Sequence, residues 1–304
     1  MSSPPLRILV ATRGRPIELD RMIRSISDAP PGSCLVVIEN GSTKLSTETV
    51  EAAATPLESR YLRLPSGNKS AALNVALATA NDDDLIVFFD DDVEVHARTL
   101  HAYVEAARRS GPNHYFGGPV AVEYEDRPPD WLLPHLPSSA RGCSAEELRA
   151  AGPNGTFLGA NWAAWARELK ATDGFDPGLG PGGSTGATGQ ERDMQRKLRA
   201  LGSRGVVVDD AIVRHQVPRS SCTPAWCLRR HHRNAIGEGL QGDAGNGASL
   251  FGAPLWQWSR LLHAARVWMT SRFKGRPERF EGSMAWTRER GRLRGLRLRR
   301  GRTR

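Results

Sequence analysis

Leu85-Ile86-Val87-Phe88-Phe89-Asp90-Asp91-Asp92-Val93-Glu94-Val95 carries five apolar residues that run directly into three consecutive aspartates. The apolar run suits a strand buried on both faces, so the aspartates follow where that strand leaves the sheet. Adjacent carboxylates repel one another and are costly to bury unpaired. A divalent cation is therefore expected beside them, since Mg²⁺ and Mn²⁺ take oxygen ligands. The alternative is an acidic turn that caps the next helix.

The composition is that of a globular protein, with 304 residues of which 39% are hydrophobic and 25% charged. This length accommodates one large or two ordinary domains. The N-terminus does not resemble a signal peptide, and no apolar run approaches the ~18 residues of a membrane span. We therefore expect a cytoplasmic protein, or one that is peripheral on the inner face of a membrane. The four cysteines have neither zinc-site spacing nor the pattern of a disulfide framework.

The net charge of +9 is concentrated at the C-terminus. Residues 272–304 contain 13 Lys or Arg and 3 Glu, a net charge of +10, so the preceding 271 residues sum to −1. The body is thus nearly neutral, and the tail is a polycation. We expect it to be disordered and solvated, or drawn to anionic lipid. No aromatic residue interleaves with the arginines from Arg288 onward, which argues against nucleic acid as its partner.

Strands and helices alternate in the first half of the chain. The hydrophobic pattern predicts strands at residues 6–11, 34–38, 60–64, 85–89 and 115–122, with helices between them that include a short one at 45–54. Such alternation indicates a parallel sheet covered on both sides. Polar side chains follow the successive strands and should meet at one rim: Thr12, Arg15, Glu39, Asn40, Lys69 and Asp90–Asp92. This arrangement is typical of a nucleotide pocket, although no dinucleotide fingerprint or P-loop is present.

The second half carries two further candidates for chemistry. Glu191 lies on the first turn of a predicted helix at 190–201 and shares the inward stripe of Met194, after a glycine-rich segment at 177–189 that we expect to be a mobile loop. It is a candidate general base, or merely an acid that complements the helix dipole. His215 ends an extended segment and is a candidate metal ligand, or an ordinary structural histidine.

Aromatic residues leave two further interpretations open. Trp131, Trp162 and Trp165 can form stacking surfaces for a sugar ring, or pack in the core. A helix predicted at 254–273 places Trp258, Leu262 and other apolar residues on one face beside basic neighbours. That pattern suits an anionic membrane interface or packing against the body.

Seven motifs follow one another in a recognisable order. They are residues 10–16, 37–42, 68–74, 88–93, 157–165 together with 173–176, 189–194 and 213–215, and they include Asn68-Lys69-Ser70, Phe89-Asp90-Asp91-Asp92 and Val213-Arg214-His215. In this order they resemble the family-two glycosyltransferases of the GT-A fold. That fold is a Rossmann-like α/β structure with a mostly parallel central sheet flanked by helices.

The resemblance implies an inverting, Mn²⁺- or Mg²⁺-dependent transfer. The donor would be a nucleotide-diphosphate sugar, UDP- or GDP-linked, and the acceptor a hydroxyl of a glycan, a lipid-linked molecule or a small molecule. Such reactions serve surface polysaccharide, glycolipid or glycan biosynthesis. The implied roles are these: metal ligands Asp92, Asp90 and His215; donor contacts Thr12, Arg15, Glu39, Lys69, Asn74 and Asp91; acceptor-side residues Asn161, Trp162 and Trp131; base Glu191, with Asp193 as alternative base or acceptor contact.

Three positions depart from the family pattern. Leu73 stands where arginine is common, Glu39 replaces the usual aspartate, and Gln190-Glu191 replaces Glu-Asp.

The motifs divide the chain into four predicted parts. A donor-binding half spans residues 1–123 and an acceptor and catalytic half 124–240 of the same GT-A domain. An amphipathic helical extension follows at 241–275, and the basic tail covers 276–304. Residues 254–304 are the candidate surface for an anionic membrane.

Two other functions fit parts of the sequence. A phosphatase of the haloacid dehalogenase type shares the Asp-x-Asp motif. That family has Thr or Val at the position of Glu94, and its motif follows the first strand, whereas here the motif follows the fourth. A non-catalytic adaptor that binds membranes or nucleic acid through the tail is the second.

Overall fold

The computed structural model describes residues 4–41, 50, 53, 57–242 and 248–302. The short helix predicted at 45–54 lies outside these residues except at two positions.

The secondary structure alternates in the first half and is largely helical at the end. The strands are β1 Leu6–Thr12, β2 Cys34–Asn40, β3 Glu58–Leu64, β4 Leu85–Asp90, β5 Val93–Val95, β6 His114–Gly117, β7 Val120–Tyr124, β8 Asn161–Trp165, β9 Arg204–Val207, β10 Val213–Val217, β11 Ser249–Leu250 and β12 Ala253–Pro254. The helices are α1 Pro16–Ser25, α2 Lys69–Ala78, α3 Thr99–Ser110, α4 Ser138–Arg141, α5 Ala145–Ala150, α6 Ala166–Lys170, α7 Gln190–Ala200, α8 Pro224–Gln241, α9 Leu255–Ser271 and α10 Arg276–Arg302.

Seven strands form one sheet in the order β3-β2-β1-β4-β8-β6-β9. Strands β1 to β4 are mutually parallel, and β8 runs antiparallel to both β4 and β6. The carboxyl ends of β1, β2 and β4 therefore lie side by side, with Thr12 opposite Glu39 and Ala11 opposite Asp90. The predicted mostly parallel α/β sheet is confirmed, and its rim carries the polar residues.

Apolar side chains cover both faces of this sheet. Ile8 and Val10 pack on the side of α1 and α3, whereas Leu9 and Ala11 pack on the side of α2 and α7. Because both faces are buried, the strands are apolar at consecutive positions rather than at alternate ones.

A second sheet, in the order β5-β10-β7, carries a residue of the site. Strand β5 begins directly after Asp92, so this aspartate turn leads into a strand, and the cap of a following helix is not its role. Antiparallel pairing places His215 opposite Val93. A histidine more than 120 residues away in sequence is thereby brought next to the aspartates.

The chain divides into two compact units. The first comprises residues 1–123, 142–177 and 190–216, and the second comprises 124–141, 178–189 and 217–304. The predicted boundary at 123 is also where the first segment of the first unit ends. The predicted half at 124–240, in contrast, is shared between the two units, and the extension and the tail belong to the second.

The basic tail is a helix rather than a disordered arm. Helix α10 is tied to its neighbours through Glu289, which accepts hydrogen bonds from Gln257 (2.9 Å), Arg260 (2.9 Å) and Arg292 (2.7 Å). The prediction of disorder was wrong because it rested on charge density alone, whereas Glu238 and Glu289 offset part of that charge locally. None of the described helices is long and apolar enough to cross a membrane.

Glycines let α10 approach α8 closely. A Cβ at Gly291 would lie 2.5 Å from the carbonyl oxygen of His232, and one at Gly295 would lie 2.2 Å from that of Ile236. Small residues four apart thus form the contact line between the two helices.

We predict that Gly295→Ala lowers the free energy of unfolding by about 1–3 kcal/mol, because the added methyl group cannot fit without moving a backbone. Gly301→Ala in the same helix meets nothing within 4 Å and is the matched control. It should be neutral, or stabilising by up to about 1 kcal/mol, since alanine favours helix. Urea denaturation compares the two variants, and equal midpoints would contradict the proposed close packing.

Candidate active site

Thr12 and Arg15 hold the middle aspartate at the end of β4. Thr12 Oγ1 donates to Asp91 Oδ2 at 2.7 Å, and Arg15 Nη1 donates to Asp91 Oδ1 at 3.1 Å. Asp91 is 6% exposed. Burial raises its pKa, with Asp92 adding to the rise, and the Thr12 and Arg15 contacts offset part of it. Asp91 therefore binds the end of β1 and the loop that follows it.

Arg15 and His215 hold the third aspartate. Arg15 Nη1 donates to Asp92 Oδ2 at 2.7 Å, and Nε2 of His215 lies 3.3 Å from Asp92 Oδ1. Burial favours the neutral carboxyl, but His215, Arg15 and Lys69 outweigh it and lower the pKa of Asp92 to about 2. Asp92 is thus a carboxylate across the physiological pH range.

Lys69 pairs with the first aspartate. Asn68 caps α2 by accepting from the backbone N–H of Ala71, and Lys69, the first residue of that helix, donates to Asp90 Oδ1. Burial lowers the pKa of Lys69, but Asp90 and the nearby charges of Asp91 and Glu191 raise it overall. A protonated lysine therefore stands beside the aspartate rim.

Glu39 is an isolated carboxylate at the end of β2. It is 0% exposed, and the backbone N–H of Gly14 donates to its Oε1 at 3.3 Å. Its other oxygen, Oε2, has no hydrogen-bond partner among the described residues. Burial raises the pKa of Glu39, the Gly14 hydrogen bond opposes the rise, and Asp91 adds to it. A buried acceptor without a partner indicates that a ligand donor belongs here.

Glu191 lines a narrow cavity together with Lys69, Gln190 and Gly159. It stands on the first turn of α7, and a Cβ at Gly159 would lie 3.5 Å from its carboxyl carbon. The predicted inward orientation agrees with this placement. Its carboxylate and the Lys69 ammonium, charges of opposite sign, thus share one cavity.

Asp193, the predicted alternative base or acceptor contact, is 4% exposed. Arg196 donates to its Oδ1 at 2.7 Å, and Lys197 Nζ lies 3.3 Å from its Oδ2. Both cations come from its own helix, so Asp193 is an internal ion pair.

Two residues predicted on the acceptor side are buried. Asn161 is 0% exposed: its amide donates to Pro119 and Ala211, and it accepts from the Tyr103 hydroxyl at 2.7 Å. Trp162 is 1% exposed and stacks on Phe88 with ring centroids 4.5 Å apart. The Asn161 side chain is held by these hydrogen bonds within the sheet, whereas Trp162, although buried, lines the cavity that Glu191 also lines.

Trp131 lies in the second unit. Its ring packs edge-on against Phe280, and the guanidinium of Arg276 lies 4.9 Å from the ring centroid. The glycine-rich segment belongs to the same unit and is packed, with Leu179 and Ala187 buried against Ile236.

Asn74 and Arg13 act in ways that the sequence did not indicate. The Asn74 amide exchanges two hydrogen bonds of 2.8 Å with the backbone of Phe175, so it fixes the turn at 173–175. The side chain of Arg13 lies over Gly67, where a Cβ would come 3.4 Å from the guanidinium carbon. The left-handed φ of +63° at Gly67 also favours glycine. A glycine at position 67 was the one feature of the sequence that could have indicated the close approach of Arg13.

The rim suits a divalent cation of the kind that the sequence predicts. No three His, Cys, Asp or Glu side chains converge as a metal site within the described ranges. A cation that carries substrate phosphates needs only one or two protein ligands. Asp92 Oδ1 and His215 Nε2, 3.3 Å apart, have the spacing of neighbouring ligands on bonds of about 2.1 Å. Asp90 is engaged by Lys69 instead.

A family model shows the family of the chain. The model described as "Glycosyl transferase family 2" matches residues 8–169, which is more than half of the chain. The chain belongs to glycosyl transferase family 2. It is a glycosyltransferase, and the matched region contains β1, β2 and β4 with their polar ends.

Solved structures agree on the fold. A mannosyltransferase from Pyrobaculum calidifontis, PcManGT, solved in complex with GDP-Man and Mn²⁺, superposes with a TM-score of 0.60 at 17% identity. That match covers 97% of this chain and 88% of the other. GalNAc-T7, solved with UDP, GalNAc and Mn²⁺, gives 0.53 at 15% identity, over 80% of this chain and 52% of that one. These likenesses confirm the GT-A fold. A search of curated proteins found no match in sequence.

The buried carboxylate of Glu39 predicts a pH-dependent gain in stability. Its pKa is raised above the ordinary value of 4.5, so the free energy of unfolding falls as the pH rises from 4.5 to the folded pKa, and the full cost is present above that pKa. Glu39→Gln should therefore raise the urea midpoint at pH 8. The gain should shrink as the pH falls and disappear below 4.5, where both states are protonated.

Glu58→Gln is the matched control, since the Glu58 side chain is 64% exposed on the neighbouring strand β3. Its midpoint should follow that of the unmodified protein at both pH values. A Glu39→Gln midpoint that is lower at pH 8, or shifted equally at both, would contradict the assignment.

Proposed function

We propose that this family 2 enzyme transfers a sugar from a nucleotide-diphosphate sugar to an acceptor hydroxyl with inversion, in a reaction that depends on Mn²⁺ or Mg²⁺. One observation carries the proposal: a carboxylate with its histidine neighbour, Asp92 and His215, stands on the same rim as Arg15 and Lys69. A diphosphate leaving group needs such cations, whether from side chains or from a metal. The complexes of PcManGT and GalNAc-T7 with Mn²⁺ support the same chemistry.

Asp92 and His215 would hold the metal, which when bound supplies charge neutralisation to the leaving diphosphate. The protein adds its own cations. Lys69 is protonated and lines the cavity, and Arg15 spans two aspartates. Arg15 and Lys69 would contact diphosphate oxygens in place of part of their present contacts with aspartate. These two cations would then be shared between the aspartates and the diphosphate.

The nucleoside would meet Glu39 and Thr12. Glu39 Oε2 is a buried acceptor with no partner in the described part of the chain, and a uracil or guanine ring offers N–H donors to such an oxygen. UDP- and GDP-linked sugars are therefore the donors we propose. Asn74 is assigned to the turn at Phe175 rather than to the donor.

Glu191 would act as the base. It lines the cavity that Lys69 also lines, and it stands at the start of α7. In an inverting transfer the acceptor hydroxyl attacks from the face opposite the leaving group and loses its proton to the base as the bond forms. Asp193 is the weaker candidate because Arg196 and Lys197 already neutralise it.

The acceptor belongs to a glycan, a lipid-linked molecule or a small molecule, and surface polysaccharide, glycolipid or glycan biosynthesis is the proposed setting. A phosphatase is not supported, because the aspartates end the fourth strand of a family 2 domain. The experiment for the function as a whole is a screen of UDP- and GDP-sugars with Mn²⁺. Release of nucleoside diphosphate from one of them supports it, and release from none contradicts it.

Asp92→Asn is expected to weaken the binding of GDP or UDP in the presence of Mn²⁺ by about tenfold or more. The loss follows because the amide lacks the charge that a hard cation requires. Titration calorimetry with and without Mn²⁺ measures it, and Asp20→Asn, at an exposed position of α1, is the control. An unchanged Mn²⁺ dependence in the Asp92 variant would remove the metal role from this residue.

Glu191→Gln is expected to leave nucleotide binding intact and to lower kcat by about a hundredfold or more, since only proton removal is lost. Asp193→Asn serves as the matched variant on the same helix and should retain most turnover. Single-turnover transfer assays rank the two. The opposite ranking would assign the base to Asp193.

A further inference from the structure

Helix α9 buries polar side chains and exposes apolar ones. Its buried positions are Gln257, Ala264 and Ser271, spaced seven residues apart. The line on the opposite side of the helix is Leu255, Leu262 and Met269, also seven apart, and these side chains are 52%, 65% and 51% exposed. A helix that simply packed on the body would bury its leucines and expose its glutamine and serine.

The inner polar residues have partners that explain their burial. Gln257 donates to the carboxylate and the carbonyl of Glu289 on α10. Ser271 donates to the carbonyl of Trp268 and lies where a Cβ at Gly282 would clash with it. The orientation of α9 is thus set by specific contacts, and its apolar line faces outward as a consequence.

The exposed apolar surface is concentrated at this helix. Of the eleven exposed large hydrophobic side chains among the described residues, eight lie between Leu250 and Phe273. Phe273, directly after the helix, is 93% exposed. An apolar patch of this kind marks an interaction site in a stable protein.

The charge around the patch has one sign. Between residues 248 and 277 the sequence contains no Asp or Glu, whereas it contains Arg260, Arg266, Arg272, Lys274 and Arg276. Arg266 falls on the apolar line itself, between Leu262 and Met269. The partner must therefore be apolar and anionic at once.

We propose that the outer face of α9, with Phe273, docks on an anionic lipid bilayer. The apolar line would enter the boundary between headgroups and acyl chains, and Arg266, Arg272 and Lys274 would contact phosphate groups. The phosphate backbone of a nucleic acid offers no apolar environment in which Leu262 and Met269 could be buried. A second copy of the chain would bring the same positive charges together. This inference does not rest on the proposed sugar transfer.

The sequence pattern alone pointed to a partly different face. The predicted face included Leu262 and Met269, which are exposed, and also Trp268, which instead stacks on Trp286 of α10 with ring centroids 6.1 Å apart. Removing the tail, which would be the simple test of membrane binding, is unsuitable because α10 is part of the packed unit.

The test uses the full chain and sedimentation with vesicles of phosphatidylcholine alone, or of phosphatidylcholine and phosphatidylglycerol in equal amounts. The unmodified protein should sediment with the anionic vesicles and detach as salt is raised. Leu262→Glu/Met269→Glu should bind them about tenfold or more weakly. Leu201→Glu, at a leucine 55% exposed on the other unit, should bind like the unmodified protein.

Three results would overturn the proposal: no binding to anionic vesicles, equal binding by the double variant, or an equal loss with Leu201→Glu. Light scattering and an RNA-binding assay accompany the test. A dimer that the double variant converts to monomer would assign the face to a second copy. Loss of RNA binding with unchanged vesicle binding would assign it to nucleic acid. Thermal unfolding of both variants confirms that they are folded.

Discussion

Mutual repulsion of three consecutive carboxylates is the constraint on which the site depends. A buried strand leads to Asp90, Asp91 and Asp92 at one rim of the sheet. Each of them is contacted by a cation or a hydrogen-bond donor from elsewhere in the chain. Arg15 comes from the loop after β1, Lys69 from the start of α2, and His215 from an antiparallel pairing with β5. Folding thereby places the cations Arg15 and Lys69 among fixed negative charges, and a leaving diphosphate would need such cations.

The proposed proton chemistry is separate from this charge cluster but adjacent to it. Lys69 belongs to both, because it pairs with Asp90 and also lines the cavity of Glu191. Gly159, on the turn before β8, lines the same cavity as Glu191. A base and a leaving-group site that share one lysine are kept in register by the sheet, since each is anchored at the end of a strand or the start of a helix.

Much of the first unit was predictable, because buried parallel strands and helix starts have strong local signals: β1, β2, β4 and the rim from Thr12 to Asp92 were all expected. Residues whose environment depends on distant segments were not. The sequence left open whether Trp162 packs in the core, and pairing of β8 with β4 and β6 buries it together with Asn161. The tail was misjudged because its charge was counted without the partners Glu238 and Glu289, which only the packed structure supplies. The ion pairs of Asp193 with Arg196 and Lys197 likewise had no signal that the sequence analysis used.

Diffraction from crystals grown with Mn²⁺ and a nucleoside diphosphate tests the central claim most directly, with anomalous scattering measured at the manganese edge. The account predicts one strong anomalous peak within bonding distance of Asp92 and His215, with diphosphate oxygens completing the coordination. A peak placed elsewhere, or a diphosphate bound to Arg15 and Lys69 with no manganese beside Asp92, would contradict it.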